Sequence, residues 1–263
     1  MLFARARRLS RLAPLALAGA LAACAADPGA TRGPGGVYDP YEAQNRQMHA
    51  FNVALDRTVV RPLTGGDASE PQGGPTPIRT GLGNLSDHLD QPRVIVNDVL
   101  QGRIGDAGHN SFRFLVNTVF GLGGLFDPAS GDFGLEKRDT DFGETLHVWG
   151  AGEGAFLMLP VLGPSTQRDF AGDVVDLALN PLGHAMSGEQ RRAARAVRLA
   201  ARLGDRARFG SSVDDVLYGS ADSYTQLRLI YLQNRRFELG QEAPAETEAG
   251  ESIDDIYEDL YAD

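Results

Sequence analysis

The sequence predicts an all-α protein in one domain. Three observations carry that reading: apolar residues recur at three- and four-residue spacing, a helix-starting signal opens the first such segment, and Gly/Pro-rich stretches break up the chain. The first segment opens at Asp39-Pro40, a capping residue followed by proline at the first helical position, and sets Met48, Phe51 and Leu55 on one side. Gly65 to Pro77 interrupts it. A second segment carries Ile78, Leu82, Leu85 and Leu89, and a third Ile104, Ala107, Ser111, Phe112, Leu115 and Val119, in both cases at helical spacing. A strand period matches fewer of these positions. From Gln190 to Leu203, Arg191, Arg195, Arg198 and Arg202 share one helical face beside Ala194, Val197 and Ala201. That face suits anionic headgroups, at about 1 kcal/mol per charge near a membrane surface, or a solvated, salt-bridged exterior.

The ends of the chain add a location. Residues 1–23 carry Arg5, Arg7, Arg8 and Arg11 and then an apolar run interrupted only by Pro14 and Gly19, the layout of an export signal. Leu21-Ala22-Ala23-Cys24 closes it in the pattern of a lipobox, and Cys24 is the single cysteine. Cleavage there is expected to leave Cys24 first and acylated, each buried methylene adding roughly 0.8 kcal/mol of membrane affinity; a free thiol at a ragged terminus is the other reading. Ala25 follows where an inner-membrane retention signal would have Asp, which favours the outer membrane. Residues 24–37 read as a flexible tether, 38–240 as the helical domain and 241–263 as an acidic, mostly disordered tail. The tail holds nine acidic side chains and no basic one, yet Ile253, Ile256, Tyr257, Leu260 and Tyr261 share a helical stripe. Without the leader's four arginines, 21 basic residues face 35 acidic ones, a net charge of −14 that makes nucleic acid a poor partner. Beyond the leader no apolar stretch approaches the ~20 residues of a spanning helix.

Several motifs in order give the chain a relative. Asp39-Pro40-Tyr41-Glu42 with Asn45-Arg46 and Phe51-Asn52, Val60-Arg61-Pro62, Pro92 with Val96-Asn97-Asp98, Arg113 to Thr118, Gly121 to Asp127 and Asp141 to Leu146 lead to Trp149-Gly150-Ala151-Gly152 and Leu159 to Thr166 with Arg168-Asp169. Together they resemble the MlaA/VacJ family of outer-membrane lipoproteins over residues 38–240. The resemblance implies a ring of amphipathic helices lying in the membrane interface around a central amphipathic channel. It also implies phospholipids as cargo, removed from the outer leaflet and passed to a periplasmic lipid-carrier protein, with a trimeric porin as partner. Residues alone leave open whether the apolar stripes face lipid or a soluble core; the resemblance favours lipid. The Gly65 to Pro77 break is richer in Gly and Pro than the family leads one to expect, and the Arg195 face and acidic tail carry nothing over from it.

Within that frame Gly150 and Gly152 become candidate hinges of a hairpin beside the channel, with structural turn glycines as the competing account. Phe51 and Asn52 become a candidate channel rim, against ordinary helix packing for Phe51. Enzymatic alternatives lack their residues. A lipase calls for Gly-x-Ser-x-Gly, and Gly163-Pro164-Ser165-Thr166-Gln167 fails at its last position. The histidines His49, His88, His109, His147 and His184 have no metal-ligand spacing, and Gly121-Leu122-Gly123-Gly124 follows a helical segment where a dinucleotide loop follows a strand. No catalytic residue, metal or cofactor is therefore expected. Two functions remain in play, a lipid conduit without catalysis and a structural lipoprotein that organises a porin or envelope complex; a phospholipase is the remote third.

Overall fold

The computed structural model describes residues 37–65 and 76–241. The leader, Cys24, nearly all of the tether, most of the Gly/Pro break (66–75) and all of the acidic tail but Gln241 lie outside the described residues. Helix α1 (Glu42–Leu55) runs through a π-helical turn at Asp56–Val60 into α2 (Arg61–Thr64). Next come α3 (Pro77–Leu100), α4 (Ile104–Val119), α5 (Pro128–Gly131) and α6 (Phe142–Val148). A short antiparallel hairpin follows, β1 (Phe156–Leu159) with β2 (Gly163–Thr166), Phe156 facing Thr166 and Leu159 facing Gly163. The chain ends in α7 (Gln167–Leu179), α8 (Pro181–Ala185), α9 (Gly188–Arg208), α10 (Gly210–Asp214), a π-helical turn at Asp215–Gly219 and α11 (Ser223–Glu238).

Local chemistry starts these helices. Thr76, Asp141, Thr166, Ser187 and Asp222 each accept a backbone N–H of the first turn, and Ser187 with Gln190 completes a capping box. Asp39 does not cap α1, contrary to the sequence reading. The helix begins at Glu42, and the Asp39 carboxylate accepts from Asn45 Nδ2 (2.9 Å), the Arg228 guanidinium (2.5 Å) and the Tyr224 hydroxyl. A charge-assisted bond to arginine is stronger than a bond to a backbone amide, so α11 recruits the carboxylate away from its own helix. The small apolar core sits nearby: Val37, Phe156, Met158, Tyr224 and Leu232. Val37, read as the end of the tether, is buried in that core, and the Phe156 N–H donates to the Tyr38 carbonyl at 2.9 Å.

Most of the molecule is built the other way round. Among the described residues 18 buried side chains are polar or charged against 13 apolar ones, while 28 large apolar side chains are exposed, so the helices pack mainly through polar faces. On α4 the outward stripe is Ile104, Phe112, Leu115 and Val119, and the buried face carries Asn110, Arg113 and Asn117. On α3 Ile78 is 78% exposed while His88, Gln91, Asn97 and Asp98 are buried. On α7 Phe170, Val174 and Leu177 point out and Arg168, Asp169 and Asp176 point in. Many of the inward groups pair with one another: Asn110 Nδ2 donates to Asp98 (2.7 Å), Arg113 to Asp127 (2.6 Å), Asn117 to Asp127 (2.8 Å) and Asn97 to Asp176 (2.8 Å).

Candidate functional site

The hairpin and α7 form one wall of a cavity of about 460 Å³, and α11 and α9 supply the rest. Two asparagines on α1 hold the hairpin. Asn45, buried, donates to the Phe156 carbonyl (3.0 Å) and accepts the Met158 N–H (2.9 Å); two turns later Asn52 donates to the Leu159 carbonyl (2.8 Å) and accepts the Val161 N–H (2.8 Å). Each side-chain amide thus stands in for a neighbouring strand along β1. The lower clamp fixes an unusual residue: Val161 has φ +67°, a conformation that costs a β-branched side chain roughly 1–3 kcal/mol, and it is 70% exposed at the hairpin tip.

The polar wall centres on Arg235 of α11. Its guanidinium reaches Asp141 at 2.7 Å, Asp169 at 3.2 Å and Glu238 at 3.2 Å, joining the starts of α6 and α7. Asp169 also accepts from the Tyr231 hydroxyl (2.7 Å) and the Thr166 hydroxyl (2.9 Å), and fully buried Arg168 lies 3.3 Å away. Burial opposes charge on Asp169, but Arg235, Arg168 and these hydroxyls hold its carboxyl below the ordinary value. One α7 turn on, Asp173 has the opposite fate. Partial desolvation in the cavity wall, followed by the nearby charges of Asp141, Asp176 and Asp169, pushes it up to about 6 although the side chain still reaches solvent, and Arg93, engaged by Asp176 at 2.8 Å, offsets them only in part.

Arg202 of α9 lines this cavity and also a second one, of about 320 Å³, between α3 and α9. Arg198 in turn lines the second cavity and a third of about 310 Å³ beside α8. The arginine face of α9 therefore borders hollow space along much of its length. Part of it is salt-bridged, Arg198 to Asp90 at 2.8 Å, and Arg191 donates to the Met186 carbonyl at 2.8 Å.

The proposed rim residues separate. Asn52 contacts the hairpin that walls the cavity, whereas Phe51 is 51% exposed and packs in no core. Of the proposed hinges, Gly150 has φ +90° with open space where a Cβ would stand, while Gly152 does not share that left-handed conformation. Ser165 is buried and its hydroxyl donates to the Thr166 carbonyl at 3.3 Å, with no histidine hydrogen-bonded to it among the described residues. Sequence reasoning missed Asp173, Arg235 and the role of Asn45. The signal for Asp173 was present: Asp169, Asp173 and Asp176 fall at helical spacing, opposite Phe170, Val174 and Leu177.

Apolar stripes on the outside and charged groups inside, around cavities, are the layout of a helical protein suited to a lipid interface; no described helix is long and apolar enough to cross a membrane. A sequence model of the MlaA lipoprotein family matches residues 37–238, and the chain belongs to that family. It is 33% identical over 230 residues to the intermembrane phospholipid transport system lipoprotein MlaA of Escherichia coli (strain K12), covering 84% of this chain and 87% of that one. The Haemophilus influenzae protein of the same name is 31% identical over 226 residues, with the same coverage. A chain solved in work on the structural basis for maintenance of bacterial outer membrane lipid asymmetry superposes with a TM-score of 0.64 at 30% identity, over 76% of this chain and 98% of that one.

Proposed function

We propose that this lipoprotein maintains outer-membrane lipid asymmetry by drawing mislocalised phospholipids from the outer leaflet and passing them to a periplasmic lipid carrier. Cys24 anchors it in the periplasm-facing leaflet, its helices form a collar within that leaflet, and a trimeric porin is its membrane partner. The observation that carries the reading is the reversed amphipathicity. A Phe, Leu or Val left in water forgoes about 1.5–3 kcal/mol that apolar surroundings would return, so the outward stripes of α3, α4 and α7 favour acyl chains. A headgroup needs polar partners along its path, and the two cavities that Arg202 borders offer them. Neighbouring elements also close a circuit, from α1 through β1, β2, α7, α6, α3, α9, α2 and the π-helical turn at Asp56–Val60 back to α1, which supports a collar. No covalent step is involved.

The test is the phospholipid content of the outer leaflet in a deletion strain. Accumulation that the wild-type gene reverses supports transport; unchanged asymmetry overturns it in favour of a structural tether. Phospholipid hydrolysis by the purified protein, abolished by Ser165→Ala, would overturn the non-enzymatic reading.

A further inference from the structure

The charges lining the 460 Å³ cavity do not all neutralise one another. Arg235 is committed to Asp141, Asp169 and Glu238. Two charged side chains then remain, Asp173 on α7 and Arg202 on α9, and neither makes an ion pair within 4 Å or a hydrogen bond among the described residues. Both are open to solvent. They are of opposite sign, line one cavity and do not reach each other. Arg235 also lines this space, and its buried Nε has no acceptor among the described residues.

The protein quiets Asp173 only in part. Asp141, Asp169 and Asp176 surround it with like charge, and its neighbouring cations, Arg93 and Arg235, are held by other carboxylates. A carboxylate kept in such company is complementary to a mobile ammonium. A free guanidinium is complementary to a phosphodiester, which it can meet with two parallel hydrogen bonds. Leu159, Val161, Leu162 and Pro164 give the same cavity an apolar wall, and its volume falls within the usual range of ligand sites. Phosphate and ammonium joined by two carbons, with apolar matter behind the phosphate, describes the head of an amine-bearing phospholipid.

We propose that Asp173 and Arg202 form a zwitterion subsite on the lipid path, Arg202 taking the phosphate and Asp173 the ammonium of an ethanolamine phospholipid. This rests on the transport reading and adds a headgroup preference to it. A glycerol headgroup offers no cation, so it leaves Asp173 unpaired inside an acidic wall and is held less well.

The experiment uses the full mature lipoprotein, reconstituted in vesicles of equal phosphatidylethanolamine and phosphatidylglycerol with matched acyl chains. Lipid retained after gentle detergent extraction is read by native mass spectrometry. Wild type is expected to retain ethanolamine lipid about tenfold over glycerol lipid, equivalent to ~1.4 kcal/mol. Asp173→Asn removes the preference while total retained lipid stays within about a factor of two, and Asp173→Glu restores it. Arg202→Gln lowers retention of both lipids. A wild-type ratio equal to that of the vesicles, or an unchanged ratio in Asp173→Asn, overturns the subsite and leaves the conduit standing. Wild-type protein that retains no lipid at all overturns the conduit itself and the subsite with it. Asparagine matches aspartate in shape at an open position, so thermal melting in the same detergent reports whether each variant is folded.

Discussion

Asn52 makes two bonds to the hairpin with one side chain, and both go to backbone groups around a valine held in a left-handed conformation. Removing the amide leaves the Val161 strain unopposed at that point. Asn52→Ala is therefore expected to loosen the hairpin tip before it destabilises the fold, and hydrogen exchange at the Val161 amide should accelerate by about tenfold or more, the equivalent of one lost bond of ~1.4 kcal/mol. Unchanged exchange would mean that the clamp is redundant with Asn45. Asp173 lends itself to a test of opposite sign. Its carboxyl, pushed up to about 6 against an ordinary 3.8, favours the folded state only when protonated, so its contribution grows as pH falls through 6 and its charge costs stability above that. Asp173→Asn should raise the melting temperature above pH 6, by a margin worth under about 1 kcal/mol once solvent screening is counted, and should make no difference near pH 3. A residue that stabilises when its charge is deleted is one kept for work other than folding.

Helix α4 puts the direction of packing to the test. Because Leu115 and Val119 are exposed and touch none of its polar interior, Leu115→Glu with Val119→Glu is expected to leave the melting temperature in detergent nearly unchanged while sharply reducing binding of the acyl-free protein to vesicles. Loss of folding in detergent would place those side chains in a core instead. The contact of α6 with α7 is the counterpart inside. A Cβ on Gly172 would stand 2.3 Å from the Gly143 nitrogen, so Gly172→Ala must push two helices apart and should cost roughly 1–3 kcal/mol by denaturant melting. Much at this scale was legible beforehand. Period 3.6 located α3, α4 and α9, whereas the hairpin after Gly150 and Gly152 was expected from the family resemblance and not from periodicity. What periodicity could not supply is which face turns inward, because a stripe of Ile104, Phe112, Leu115 and Val119 has the same spacing whether it meets a core or a lipid. The polar partners decide that, and Asn110 with Asp98 or Arg235 with Asp169 are pairs formed across distant segments that no local pattern reveals. Asp39 failed as a cap for the same reason, its true partners lying 185 and 189 residues away.

The reversed distribution of polarity makes the molecule's stability a matter of charge more than of oil. Burial works against the charge on Asp56, Asp127 and Asp169, yet hydrogen bonds and neighbouring arginines hold all three below the ordinary carboxylate value. Such groups stabilise the fold fully above about pH 4 and release that stability as pH falls further, whereas Asp173 and buried Asp98, whose values are raised, gain on acidification. A melting profile across pH should then peak between about 4 and 6 and drop steeply on the acid side; a flat profile down to pH 2 would show that the buried ion pairs contribute little. One last consequence concerns Val37, whose side chain is packed against β1 and α11 and so nails down the first described residue. With Cys24 as the proposed anchor, twelve residues lie between that nail and the acylated cysteine, and the thirteen steps from one to the other, at ~3.5 Å apiece, extend no farther than about 45 Å. A hairpin on so short a leash stays close to the face of the membrane that holds its anchor, so any lipid exchange it takes part in is expected there.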